Sequence, residues 1–328
     1  MSSTSMKRNL SIDLIKIIAM FGVLALHVRW PRYTTMPMIS DLLRCWYPIW
    51  GIAMPLFFMV SGYLMYNKEI TWSYIIQKVW KIIKFVTIII TVYIIPYVLI
   101  THDYNCWKWY IACYIQAGKF FQFWYFGSII IIYLMLPYLS KLMHSNYLNN
   151  VLILLAIICS FVFILNWMYA FERKYTWQTL RLWNWLFYFL MGCWVNKNQK
   201  QLTSINWKYS LFLGVFSTFF LVSTWSFIGK VWCYFCSIPF MLYVICTFIV
   251  LQNIKIKRSN LIQSLSSLFL PVYALHIIIL DFYYAYLALA IINPTITLLY
   301  NYIVSSSIII ITCFLIMKIP LSKTIFKI

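Results

Sequence analysis

Three ionisable side chains, Asp13, Lys16 and His27, share the first apolar stretch of the chain, LSIDLIKIIAMFGVLALHV, from Leu10 to Val28. Each type brings a definite chemistry. A neutral imidazole takes and returns protons near pH 7, an ammonium attracts phosphate as a compact point charge, and a carboxylate holds an ammonium three residues further along a helix. A charge at the centre of a bilayer costs about 2.5–3.5 kcal/mol on insertion scales, so such groups normally face a bundle interior or a wet cavity. At 100° per residue, Lys16 and His27 project from nearly one side of a helix, with Asp13 within about 60° of both. Lys16 and His27 are about 16 Å apart along the axis, too far to touch. A purely structural reading has Asp13 and Lys16 paired at the membrane surface while His27 reaches outward.

The rest of the chain has to position these groups. Of its 328 residues, 64% are hydrophobic and only 10% charged, and its mean hydropathy is +0.83. A water-soluble domain of that composition would expose large apolar patches. The expectation is an all-α, polytopic transmembrane bundle forming a single domain over residues 1–328, with no separate soluble part. A span needs roughly 20 apolar residues, which divides the chain into about ten: near 10–30, 47–66, 82–101, 123–140, 148–168, 181–196, 208–228, 231–251, 264–290 and 296–317. The first run is as long as a span and lacks a small-residue cleavage site, so it reads as a retained helix.

The formal net charge is +20. Those charges lie between the spans, where topology and anionic head groups explain them and no nucleic-acid partner is needed. With the N-terminus inside, sixteen Lys and Arg fall on the inner side and nine on the outer, which favours both termini in the cytoplasm. The nine cysteines lie mostly within apolar runs, which argues for packing over a disulfide framework. The lone Cys233-x-x-Cys236 pair reads the same way, and no metal site is expected.

Other residues bear on chemistry. Lys78, Lys81 and Lys84 recur at three-residue spacing, and Lys255, Lys257 and Arg258 form a second basic cluster. Either could receive phosphates, and either could simply anchor the inner face. Ser61 beside Gly62 reads as a small-residue helix contact or a hydroxyl donor. His276 has Asp281 about 140° around the same helix, so the two are not a dyad. Glu172, with Arg173 and Lys174, reads as a solvated outer loop.

A basic residue, ten intervening residues and a histidine, as in Lys16 to His27, resembles the first-helix signature of the acyltransferase-3 family of membrane O-acyltransferases. PLFFMVSGYLM (Pro55 to Met65), FWYFGSIIIIYLMLP (Phe123 to Pro137), FYFLMGCWV (Phe187 to Val195) and LPVYALHIIIL, which contains His276, are similar to later family segments in the same order. Lys16 stands where the family often has arginine. The resemblance implies transfer of an acyl group, commonly acetyl, from cytoplasmic acyl-coenzyme A to a hydroxyl of a cell-surface polysaccharide or its lipid-linked precursor, in the inner (plasma) membrane. His27 would be the general base or an acyl-carrying nucleophile, with Lys16 and Asp13 completing the catalytic set. Lys16, Lys78, Lys81 and Lys84 would hold the donor's phosphates, Ser61 or Trp124 would face the oxyanion, and His276 would line the cavity. A transporter or flippase of lipid-linked glycans would share the composition. Against it stand the Lys16 to His27 spacing and the low content of 8 glycines, since transporter spans are often broken at glycine.

Overall fold

The computed structural model describes residues 8–29, 41–204, 207–228, 234–257, 259–289 and 293–326. The described chain is all-α. Its main helices are α1 (Leu10–His27), α2 (Asp41–Trp50), α3 (Ala53–Met65), α4 (Trp72–Thr101), α5 (Trp124–His144), α6 (Leu148–Tyr169), α7 (Leu182–Lys197), α8 (Trp207–Ile228), α9 (Ile238–Asn253), α10 (Asn260–Ser267), α11 (Phe269–Tyr286) and α12 (Pro294–Ile316). Among the described residues, seven segments are long and apolar enough to cross a membrane by length and composition, and one of them, Trp46–Met65, joins α2 to α3. Helices α7 and α9 have 16 residues each, about 24 Å at 1.5 Å per residue and thus shorter than a 30 Å hydrocarbon core.

In lipid every backbone polar group needs a partner within the protein, and α1 meets this at both ends. Asn9 caps its start, its side chain accepting from the amides of Ser11 and Ile12. At the other end the Trp46 indole donates to the Ala25 carbonyl at 2.9 Å, and the Arg29 amide donates to the Tyr284 hydroxyl at 2.8 Å. The last turn, which carries His27, is therefore held by side chains of α2 and α11.

Helix α1 runs antiparallel to α3, at close range. A Cβ built on Gly22 would lie 2.9 Å from the Ala53 Cβ. Helix α3 in turn lies backbone to backbone against α7: a Cβ on Gly62 would come 1.8 Å from the Phe189 carbonyl oxygen, and one on Gly192 would come 2.0 Å from that of Met59. Small residues allow this approach in membranes, where packing replaces the hydrophobic drive between helices. Gly62→Ala is expected to force α3 and α7 apart and cost about 1–3 kcal/mol. Thermal unfolding in detergent checks this against Gly214→Ala, whose Cβ would meet the Cys246 Cβ at an ordinary 3.4 Å.

The reading of Glu172 as a solvated loop residue is corrected. Its side chain is 1% exposed and paired with Arg181 at 3.3 Å. One carboxylate oxygen also accepts from the Trp183 indole at 2.8 Å, and the Glu172 amide donates to the Asn166 side chain at 2.7 Å. Arg181 and Trp183, nine and eleven residues later, fold back over the acid, so the loop turns its charge inward. Seven cysteines, at positions 106, 113, 159, 193, 236, 246 and 313, are free and buried. Cys233 and Arg258 lie outside the described residues.

Candidate active site

The ionisable groups of α1 sort into two places. Near its start, Asp13 is 3% exposed. Arg8 donates to its Oδ2 at 2.5 Å, Ser266 of α10 donates to its Oδ1 at 2.7 Å, and Lys16 stands 3.6 Å from Oδ1. The short contact belongs to Arg8 and the long one to Lys16. Asp13 is thus satisfied largely without Lys16, whose side chain keeps 26% of its surface exposed.

That surface opens into a cavity of about 600 Å³, within the usual size range of small-molecule sites. Among the described residues that line it are Arg8, Lys16, Lys68 and Lys78, with Asp13 as the one carboxylate, together with Ser61. Four cations against one anion make the wall strongly positive, a setting that collects polyanions. Of the three lysines expected on α4, the structure brings only Lys78 to this wall; Lys81 and Lys84 are exposed elsewhere on the helix. Steps of three residues drift by about 60° each on a helix, so Lys84 points about 120° away from Lys78.

Ser61 belongs to this cavity as well. Its hydroxyl lies 3.1 Å from that of Tyr125. Because Gly22 is level with Ala53 and the helices are antiparallel, Ser61 and His27 lie about 20 Å apart along the bundle. The expectation that Ser61 faces an oxyanion beside His27 is corrected on this geometry. Trp124 is buried, its ring 5.1 Å from that of Trp185, centroid to centroid.

His27 occupies the far end of α1, half-buried, and does not line the first cavity. Its ring centroid is 4.9 Å from that of His276 and 5.8 Å from that of Phe121. His276 is fully buried. Its Nδ1 lies 2.9 Å from the Tyr273 carbonyl and 3.1 Å from that of Val272. Carbonyls only accept, so these contacts assign the proton to Nδ1 and leave Nε2 as an acceptor. That Nε2 is buried with no hydrogen-bond partner. Two histidines 249 positions apart in sequence thus face each other, one of them anchored by backbone.

Between the two ends runs a row of rings: Tyr125 stands 5.8 Å from Tyr273, and Tyr273 stands 6.0 Å from His276. The Tyr273 hydroxyl donates to the Gln122 carbonyl, which ties the row to the segment preceding α5. Beyond the histidines, Asp281 bridges Arg29 at 2.9 Å and Lys119 at 2.5 Å. Burial lowers the Lys119 pKa, but Asp281 beside it outweighs that and leaves it above the ordinary lysine range. As expected, Asp281 makes no dyad with His276; its partners come from the end of α1 and the loop before α5. Among the described residues no three His, Cys, Asp or Glu side chains are grouped as metal ligands would be.

One helix therefore joins a polycationic cavity to a histidine pair, with aromatic rings between them. Such an arrangement can hold a phosphate-bearing molecule at one end while proton transfer proceeds at the other. The family model described as an acyltransferase domain matches residues 9–318. No curated protein and no solved structure matches the chain.

Proposed function

The chain belongs to the acyltransferase-3 family, and from that premise we propose that it is an O-acetyltransferase of the inner membrane. In this reading the cavity at the start of α1 faces the cytoplasm and takes acetyl-coenzyme A. The acceptor is a hydroxyl of a surface polysaccharide or its lipid-linked precursor, reaching His27 from the opposite side. What carries the proposal is the pairing, on the single helix α1, of Lys16 in a cavity with four cations and His27 against His276.

Lys16 and Lys78 hold the donor's phosphates, and Asp13, clamped by Arg8 and Ser266, fixes the first turn from which Lys16 projects. The thiol-bearing arm of the donor follows the row Tyr125 to Tyr273 towards the histidines. His27 takes the proton of the acceptor hydroxyl, whose oxygen attacks the thioester carbonyl carbon. The carbon–sulfur bond then breaks, and the thiolate regains a proton from the imidazolium as free coenzyme A. His276 orients the His27 ring, its own tautomer set by the Tyr273 and Val272 carbonyls. A covalent variant, in which His27 itself carries the acetyl group between donor and acceptor, uses the same residues.

Purified chain supplied with radiolabelled acetyl-coenzyme A and a glycan acceptor is expected to release free coenzyme A in proportion to label appearing on the glycan. A glycan carrier would release none, and that outcome would remove the enzymatic reading.

A further inference from the structure

A second cavity, of about 870 Å³, adjoins the first where α1 begins and shares Arg8, Asn9 and Gln199 with it. Lys255, Lys257 and Asn253 stand on its wall. Among its described lining residues are three cations, Arg8, Lys255 and Lys257, and no carboxylate, which favours an anionic occupant. The Arg8 guanidinium uses Nε on Asp13 and Nη2 on the Gln263 carbonyl. Of its five N–H donors, those on Nη1 meet no acceptor among the described residues and can serve a ligand.

Asn253 supplies an independent sign. Its Nδ2 donates to the Leu202 carbonyl at 3.3 Å, which sets the amide's orientation, and its Oδ1 is buried with no hydrogen-bond partner. A buried acceptor left unmet is costly, so such atoms ordinarily await a donor from a ligand or water. The adjoining cavities thus present two cationic walls with a buried acceptor beside the second. A molecule carrying a diphosphate, and at some remove a phosphomonoester next to an amine-bearing base, matches that layout.

Resting on the reading that acyl-coenzyme A is the donor, we propose that the second cavity holds its 3′-phosphoadenosine end. Arg8, Lys255 and Lys257 take the 3′-phosphate, Asn253 Oδ1 accepts from the adenine amine, and Lys16 and Lys78 keep the pyrophosphate in the first cavity. Lys255 and Lys257 are then specificity residues, which distinguish coenzyme A from the same molecule lacking its 3′-phosphate.

The test titrates coenzyme A and 3′-dephospho-coenzyme A into the full chain held in phosphatidylcholine nanodiscs and reads each dissociation constant. The unmodified chain is expected to bind coenzyme A about tenfold more tightly than the dephospho form, as charge-assisted phosphate contacts imply. Lys255→Ala/Lys257→Ala is expected to bring that ratio close to one by weakening coenzyme A alone. Lys141→Ala/Lys323→Ala, the same change of charge outside both cavities, should leave the ratio intact. Equal binding of the two molecules by the unmodified chain, or a parallel loss of both in the first variant, overturns the proposal and leaves the donor reading standing. Failure of the unmodified chain to bind either molecule overturns the donor reading itself. If lipid headgroups were the phosphate that these lysines meet, the ratio would be one in these discs and the variant would lose only its retention on phosphatidic acid vesicles, which also overturns the proposal.

Discussion

His27→Ala is expected to cut acyl transfer by about a thousandfold, within the span of 10²–10⁴ that a positioned general base contributes, while coenzyme A still binds as before. The separation of the two effects follows from geometry. His27 does not line the cavity that holds Lys16 and Lys78, and about 16 Å of helix lies between Lys16 and His27. Loss of the imidazole therefore leaves the phosphate contacts in place. The local fold is also expected to survive, because α1 is closed at this end by the Trp46 indole on the Ala25 carbonyl and the Tyr284 hydroxyl on the Arg29 amide, neither of which involves His27. Measured together, the turnover rate with saturating donor and the coenzyme A dissociation constant decide the matter. A fall in both would mean that His27 acts through the structure; transfer at the ordinary rate would exclude it from the chemistry. Acid quenching of the unmodified chain with labelled acetyl-coenzyme A in the absence of acceptor separates the two chemical routes, since label retained on protein, and lost in His27→Ala, marks the covalent one.

What could be read from sequence was whatever is local to one helix. Lys16 and His27 share an element, α1, so their spacing alone implies one side and two depths. The apolar runs likewise announce helices, because in lipid a helix satisfies its own backbone. The facing of His27 and His276 was hidden, since 248 residues intervene and no periodicity relates them. Only the order of family-like segments put His276 in the same region. Arg8 is one of the sixteen cations counted on the inner side, yet it supplies the short contact to Asp13 and the wall common to both cavities. The lysines of α4 were misleading for a geometric reason: three-residue spacing looks like one face, but each step turns about 60°, and over two steps the face is lost.

Glu172 shows the same limit in a loop, and its removal is expected to be the most damaging single change to stability, about 3–5 kcal/mol. Charged neighbours at Arg173 and Lys174 suggest water; what surrounds the acid is Arg181, Trp183, Asn184 and Cys236. In Glu172→Ala the Arg181 guanidinium, 6% exposed, keeps the backbone carbonyls of residue 172 and Thr176 but loses its counter-charge. Trp183 and Asn184 lose an acceptor at the same time. A buried cation without its anion accounts for most of the cost, so removing both partners should be milder than removing one. Glu172→Ala/Arg181→Met is accordingly expected to recover a large part of the loss. Seven buried, free cysteines provide the readout, because a thiol-reactive dye reports their exposure as the protein unfolds on heating. The single variant should lower the midpoint by on the order of 10 °C and the double variant by clearly less. A double variant as unstable as the single one would mean that the guanidinium, through its carbonyl contacts, holds the loop whether or not the carboxylate is there.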